Sequence, residues 1–341
     1  MSLKNLSANK IPKFFKIKLL NKRINKLYRL FEANFDIKNN FAVAVSGGPD
    51  SLALAFFTKV YSEKYGLNVK YFIVDHKLRN ESTHEALKVK KTLGNISIKS
   101  EILTWKKKKI SVATPSQSRK KRYELLFSKC KKYKIMNLIL GHHIDDKFEN
   151  FFIRMIRGSG LKGLISFDKN TEIEGINLIR PLIEFEKKDL IYISSNIFRF
   201  FIEDPSNHNP KYSRTRVRKI ISDFQINGLD KEKLNLTLQN LKKSNEVIIY
   251  YVEQNKNINS FINRKKNELV INEDFFKHPY EIVFRSFSDS IKLIGGKYSP
   301  ARGKKLDKII QNIKNNSLVK VTLGGCVIKK VNQTVIISKE Y

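Results

Sequence analysis

Residues 41–45, Phe-Ala-Val-Ala-Val, form a short, unbroken apolar run, and Ser-Gly-Gly-Pro-Asp-Ser follows at once. An apolar run without polar alternation is what a strand buried on both faces requires, and such strands belong to parallel sheets. Two glycines straight after it let the backbone turn tightly and approach a ligand closely. From Leu52 to Tyr65 apolar residues lie on most faces, which predicts a buried helix. A strand, a glycine turn and a helix in that order leave the unpaired N–H groups and the positive dipole end of the helix above the turn. That is an anion cradle suited to pyrophosphate.

The same alternation continues. Strands are expected at 69–74, 96–103 and 135–140, and helices at 81–93, 117–133 and 145–157. Strand–helix alternation predicts a doubly wound α/β domain built on a parallel sheet, whose ligands sit beyond the carboxyl ends of the strands. Polar motifs fall at three of those ends: Ser46–Ser51, Val74-Asp75-His76 and Gly141-His142-His143-Ile144-Asp145-Asp146. From Asn227 the pattern changes to helices over 234–262, 273–293 and 303–315, then strands over 318–323, 327–331 and 335–338 with Gly324-Gly325 and Asn332-Gln333 as turns. The expected organisation is a basic N-terminal helix over 1–35, a catalytic domain over 36–225, and a smaller, mainly helical α+β domain over 226–341, with 224–231 as the junction.

The 341 residues carry 66 Lys and Arg against 32 Asp and Glu, a formal charge of +34. A field of that size favours polyanions, nucleic acid above all. An AT-rich genome inflates Lys, Ile and Asn, but it would inflate Glu too, and Glu is not correspondingly abundant. The stretch 1–31 has no acidic residue and reads as a solvated amphipathic entry helix. No apolar run approaches the ~20 residues that a membrane-spanning helix needs, so no membrane partner is expected. Cys130 and Cys326 are too few and too far apart for a disulfide framework or a cysteine zinc site, which fits a reducing cytoplasm.

Within the phosphate loop, Ser46 and Ser51 supply hydroxyls. Asp50 is an acid inside an anion site, a placement that suits a Mg²⁺ ligand. No Gly-Lys-Ser/Thr is present, so the loop is not a Walker A motif. The Gly141–Asp146 motif gathers two imidazoles and two carboxylates, with Glu149 a helical turn beyond Asp145. Its chemistry is Mg²⁺ ligation, general-base work on an amine, or transition-metal binding; the plainer reading is a helix start capped by acids. Arg154 and Arg157 share a helix, and Gly158, Gly160 and Gly163 after it make either a closing loop or a helix stop. Arg214, Arg216 and Arg218 form a basic stretch that suits phosphate contacts, or a solvated face.

Taken in order, SGGPDS, VDHKLR, RKKRY at 119–123, GHHIDD, RMIRGSGLKGL, RPL and EDPSN…SRTRVR resemble the tRNA(Ile)-lysidine synthases of the PP-loop ATP pyrophosphatase superfamily. The likeness covers about 41–221, and more loosely the C-terminal part through Arg285, Pro300 and the final strands. It implies an ATP-dependent ligase. The carbonyl oxygen of the wobble cytosine in the CAU-anticodon isoleucine tRNA is adenylated, pyrophosphate leaves, and the ε-amine of free L-lysine then expels AMP. The partners so implied are that tRNA, lysine, ATP and Mg²⁺, and the reading leaves room for a homodimer. Ser46, Gly47, Gly48, Pro49, Asp50, Ser51, Asp75 and Arg122 are expected to hold the nucleotide, with Asp50 on Mg²⁺. Asp50, Arg119, His142, Asp145 and Asp146 are expected at the chemistry, and Arg154, Arg157, Arg214, Arg216 and Arg218 on the tRNA. The chain departs from the family pattern at Lys147 and Asn150, where Gln and Thr are usual, and at Thr215, where Asn is usual.

Rival readings fit less well. Thiolation needs a reactive cysteine pair or iron–sulfur ligands, and neither Cys130 nor Cys326 belongs to a C-x-x-C. Amidotransferases need an ammonia source, and no glutaminase domain is visible. A non-catalytic tRNA-binding protein would be expected to lose its phosphate loop. A hydrolase built on His142, His143, Asp145 and Asp146 lacks the spaced partners of such metal sites.

Overall fold

The computed structural model describes residues 11–78, 81–105, 114–203, 213–264, 267–296 and 303–340. Arg79, the lysines of 106–109, Asp204–Asn207 of the EDPSN motif and Pro300 lie outside them. The chain divides into two compact units, Met1–Leu229 and Asp230–Tyr341.

The first unit begins with α1 (Lys13–Leu19) and α2 (Lys22–Ala33). It continues as β1 (Phe41–Ala44), α3 (Pro49–Tyr65), β2 (Val69–Asp75), α4 (Ser82–Gly94), β3 (Ser100–Thr104), α5 (Pro115–Lys132) and β4 (Asn137–Ile139). Then come α6 (Ile144–Ile156), α7 (Leu161–Leu164), a hairpin of β5 (Asn170–Ile173) and β6 (Ile176–Ile179), α8 (Lys187–Phe198) and α9 (Ser213–Ile226). The sheet order is β3-β2-β1-β4-β6-β5. Its first five strands run parallel, and β5 lies antiparallel to β6 at the edge. The chain steps outward from β1 through β2 to β3, then returns to lay β4 on the other side of β1. Between β1 and β4 the winding reverses, and loops leaving the two strands part to leave a crevice.

Alternation along β1 explains why it is apolar throughout. Phe41, Val43 and Val45 enter a core with α3, α4 and α8, while Ala42 enters a second core with Leu126, Phe127 and Cys130 of α5. The α3 helix is buried nearly all round, with Leu52 through Phe57 fully enclosed. Its outer side is closed by α1 and α2: Phe31 stacks on Phe57 at 5.1 Å between centroids, and Phe15 lies 5.9 Å from Phe56.

The N-terminal segment therefore differs from the solvated helix expected of it. Basic residues cover its outer side, but Phe15, Leu19, Ile24, Leu27, Tyr28, Phe31 and Phe35 are core. Burying that stripe removes the exposed flank of α3 from water. The β5–β6 hairpin was not anticipated either. It turns at Glu174 (φ 52°) and Gly175 (φ 76°), a left-handed pair that the Glu-Gly sequence signals weakly.

The second unit carries α10 (Lys231–Asn259), β7 (Ser260–Asn263), β8 (Glu268–Ile271), a 3₁₀ turn (Glu273–Phe276), α11 (Tyr280–Gly295), α12 (Gly303–Lys314), β9 (Lys320–Leu323), β10 (Cys326–Val331) and β11 (Thr334–Lys339). Its antiparallel sheet, ordered β7-β8-β11-β10-β9, shares a core with α11 and α12. The helix expected over 273–293 breaks because Pro279, at the start of α11, supplies no backbone donor. The α10 helix stops at Asn259 because 260–263 pair with β8 instead. Arg285 is buried; its bond to Asn245 at 2.6 Å ties α11 to α10, and its bond to Glu281 at 2.7 Å stays within α11.

If the N-terminal helices are core, Phe31→Ala costs about 3–5 kcal/mol. Urea unfolding of the whole chain would show it; a change below about 0.5 kcal/mol would fit the solvated helix.

Candidate active site

The phosphate loop is held by Ser51. Its Oγ accepts the N–H groups of Ser46 and Gly47, each at 3.1 Å, lies 3.2 Å from the Ser46 hydroxyl, and donates to the Gly48 carbonyl at 2.9 Å. Ser51 is buried, so its hydroxyl shapes the loop, and the Ser46 hydroxyl is the more open of the pair. The two glycines do different work. Gly47 has φ +90°, and a Cβ there would fall 2.5 Å from Val89 Cγ2 and 2.8 Å from Ile202 Cδ1. Gly48 has ordinary extended backbone, and a Cβ there would meet nothing closer than 3.8 Å. The protein needs glycine at 47; at 48 it leaves open room beside the cradle. Pro49 opens α3, where its missing N–H costs no helical bond.

The β4 motif packs directly on this loop. A Cβ on Gly141 would lie 3.1 Å from the Asp50 carbonyl carbon and oxygen and from the Ser51 nitrogen, so the two backbones approach as closely as glycine allows. Beyond Gly141, His143 is buried and caps α6: its Nδ1 accepts the Asp145 N–H at 3.3 Å, and Asp146 Oδ2 accepts the His143 N–H at 3.1 Å. His143 Nε2 lies 3.8 Å from Asp50 Oδ2 and 3.6 Å from Asp146 Oδ2, and its Nδ1 is 3.6 Å from Asp145 Oδ2. One imidazole thus stands among the three expected carboxylates.

Asp50 itself is gripped by Lys187, whose Nζ donates to Oδ1 at 2.8 Å and Oδ2 at 2.7 Å. No sequence signal singled out this lysine: it is one basic residue among 66, 137 positions from its partner. Lys187 opens α8 and removes the net negative charge that Asp50 would otherwise set against phosphate.

Deeper along α6, Glu149 is buried and takes the Arg218 Nε–H at 2.5 Å. Its Oε2 is sealed from solvent without a hydrogen bond, and Arg214 Nε stands 3.9 Å away. Burial raises the Glu149 carboxyl above its usual range, against the pull of Arg218. Asp146 ends below its usual value: burial opposes this, and the two imidazoles and Arg214 overcome it.

A group of arginines flanks the other side. Arg119 and Arg122 of α5 hold their guanidinium carbons 5.2 and 5.6 Å from the Tyr123 ring. Burial and the charges of Arg119 and Arg214 push Arg122 below its usual value. Arg180, just past β6, is buried and donates from Nη1 to the Asp168 carbonyl at 2.7 Å and to Thr171 Oγ1 at 3.0 Å. His142 sits beside them. Burial first, then Arg180, Arg119 and Arg122, push its pKa down to about 3, with Asp146 opposing. His142 is therefore a neutral hydrogen-bonding group at neutral pH, not a cation.

The structure thus brings Ser46–Ser51, Arg119, Arg122, His142, Asp145, Asp146, Arg214 and Arg218 to the strand ends around the β1/β4 crevice. The remaining expected residues are placed differently. Asp75 is buried, and its carboxylate takes the Lys77 N–H and the hydroxyls of Ser82 and Thr83 at 3.1, 3.0 and 2.8 Å, so it organises the loop after β2. Arg154 and Arg157 are exposed at the far end of α6, about 12 and 16 Å along the axis from Asp146 at ~1.5 Å per residue. Gly158, at φ +67°, ends that helix. Arg216 is exposed on a different side of α9 from Arg214 and Arg218.

A glycine turn after a central parallel strand, opening a helix at the reversal of sheet order and carrying an acid in place of Gly-Lys-Ser/Thr, defines the PP-loop class of ATP-using domains. The family model described as PP-loop domain matches residues 18–224. A tRNA(Ile)-lysidine synthase of Orientia tsutsugamushi (strain Boryong) is 36% identical over 321 residues, spanning 90% of this chain and 71% of the relative. The synthase of Wolbachia sp. subsp. Brugia malayi is 33% identical over 93% of this chain and 74% of the relative. The chain belongs to the tRNA(Ile)-lysidine synthase family. A U34-tRNA thiolase from Methanococcus maripaludis, solved with its [4Fe-4S] cluster, aligns with TM-score 0.56 at 16% identity over 66% of this chain and 79% of that one, a likeness of fold. No helix among the described residues is long and apolar enough to cross a membrane.

The two loop glycines separate on substitution. Gly47→Ala destabilises the protein by about 1–3 kcal/mol through its left-handed backbone and the clash with Val89. Gly48→Ala leaves the melting temperature within a few degrees, yet lowers ATP-dependent pyrophosphate release about tenfold or more by filling the room beside the cradle. His142 gives a pH signature. Its folded pKa lies below the unfolded value of about 6.5, so acidification favours the unfolded chain, and stability is lost as pH falls from about 6.5 towards 3. His142→Gln should flatten the fall in urea midpoint between pH 6.5 and 4.

Proposed function

We propose that this chain ligates free lysine to the wobble cytidine of the CAU-anticodon isoleucine tRNA, with ATP consumed to AMP and pyrophosphate. The observation that carries the reading is the meeting, at one crevice, of a phosphate cradle, a buried carboxylate pair fit for an ammonium, and an arginine cluster with few acids among it. In the first step the cytosine carbonyl oxygen bonds the α-phosphorus of ATP, and pyrophosphate leaves into the cradle formed by Ser46–Gly48 and the start of α3. Arg119 and Arg122 offset the charge of the phosphates. In the second step the lysine ε-nitrogen bonds the activated ring carbon, the carbon–oxygen bond breaks, and AMP departs with that oxygen.

Asp146, held ionised, and Glu149, with its unbonded Oε2, suit the amino groups of lysine. Glu149 is the better proton acceptor of the two because burial raises its pKa. Lys187 keeps Asp50 neutralised until phosphate arrives. Asp50, the acid of the phosphate loop, is the residue that would hold a Mg²⁺ ion accompanying ATP. Bound there, the ion would supply charge to the polyphosphate. Arg214 and Arg218 are then best placed near the reacting nucleotide, and Arg154 and Arg157 on more distant tRNA phosphates. The second unit is proposed as a tRNA-binding domain.

Labelled lysine should enter acid-precipitable RNA only when the CAU isoleucine tRNA, ATP and lysine are all present. Release of pyrophosphate with tRNA and ATP but no lysine incorporation at any lysine concentration would defeat the reading.

A further inference from the structure

Phe167 occupies an unusual place on the arginine side of the crevice. It lies on the segment between α7 and β5, and it is half-buried. The Arg180 guanidinium carbon stands 4.9 Å from its ring centroid, and the His142 ring meets it edge-on, with centroids 5.1 Å apart and planes at 76°. Arg180 and His142 follow β6 and β4, which pair directly, so both side chains rise from neighbouring strand ends.

Two polar atoms around this ring are sealed from solvent and make no hydrogen bond: Arg180 Nε and His142 Nδ1. Buried polar groups are nearly always partnered, and an orphan in a native fold calls for a reason. Here there are two, and their residues touch the same phenyl ring. Arg180 Nη1 is already taken by the Asp168 carbonyl and Thr171. The Nε edge of the guanidinium is therefore the one left without a protein acceptor.

We propose that Phe167 is a placeholder in a pyrimidine-base subsite formed by Arg180 and His142. A six-membered flat ring already lies against both groups, and a pyrimidine is a flat ring of the same size. The Nε edge of Arg180 presents parallel N–H donors, and cytosine offers two adjacent acceptors, O2 and N3, where uracil has an N–H at position 3. Arg119 and Arg122 close by favour a base that carries phosphates rather than a free ring. Aromatic stacking of an unpaired base is how proteins commonly hold RNA, so a base that displaces a phenyl ring makes a like-for-like exchange. The inference rests on the proposed reaction only for the identity of the RNA.

The test is direct binding of the full-length protein to an anticodon stem-loop RNA labelled with fluorescein at its 5′ end, read by fluorescence anisotropy. Three loops are compared: cytosine, uracil and abasic at the wobble position. With no ring to displace, Phe167→Ala should tighten the cytosine loop threefold or more and leave the abasic loop and ATP affinity within twofold of wild type. Arg180→Lys, which keeps the charge but loses the fork, should cut discrimination between cytosine and uracil tenfold or more. Equal changes on the cytosine and abasic loops, or a Phe167→Ala effect on ATP alone, would overturn the subsite. None of these readouts needs turnover. Binding effects as expected without lysine incorporation would defeat the proposed reaction and leave the pocket standing; incorporation without the binding effects would do the reverse.

Discussion

The approach of Gly141 to the Asp50–Ser51 backbone is the contact on which the rest of the site depends. A Cβ there would stand 3.1 Å from three backbone atoms that cannot swing aside. Because it is absent, the loop after β4 settles against the loop after β1, and His143 comes within 3.8 Å of Asp50. Two motifs about ninety residues apart become one surface, and α6 starts where α3 starts. Two helix N-termini then converge on a single crevice, with a field suited to anions.

That geometry is braced from behind. The α8 helix carries Lys187 at its first turn and packs on α3, so its position sets the Lys187–Asp50 pair. It is fixed in turn by the N-terminal helices. Arg23 bonds Asp189 at 2.8 Å and lies over the Tyr192 ring at 4.1 Å, Asn21 bonds the Tyr192 hydroxyl, and Lys18 bonds the Asn196 carbonyl. The segment before the first strand thus reaches the phosphate loop through two layers of packing. Exposed ion pairs of this kind contribute little each; the aromatic burial beneath them holds the layers together.

Charge is distributed with the same economy. A cation and a carboxylate pair at the phosphate loop, a carboxylate and two arginines pair beneath α6, and a third group of arginines meets few acids. The large positive excess is therefore arranged locally: neutral where ATP polyphosphate and Mg²⁺ would bring their own charges, and strongly positive where an RNA backbone would pass.

Local pattern was enough to establish much of this. The apolar run at 41–45, the glycines after it and the polar clusters at strand ends made the parallel sheet and its crevice legible, because burial on both faces and ligand position at strand ends follow from short-range rules. Motif order pointed to the family. What one sequence left undecided was every choice that depends on distant packing. Residues 1–31 read as a solvated helix, since an amphipathic stripe does not say what covers it, and for α1 and α2 the cover is α3. Asp75 and Asp50 read alike as acids at strand ends, yet one is enclosed by hydroxyls and the other is gripped by Lys187. His142 and His143 are neighbours in sequence, but alternate backbone directions send one among arginines and the other among carboxylates. Sequence determined which groups could meet phosphate; tertiary structure decided which of them do, because hydrogen-bond partners and burial are set by segments as many as 137 positions away.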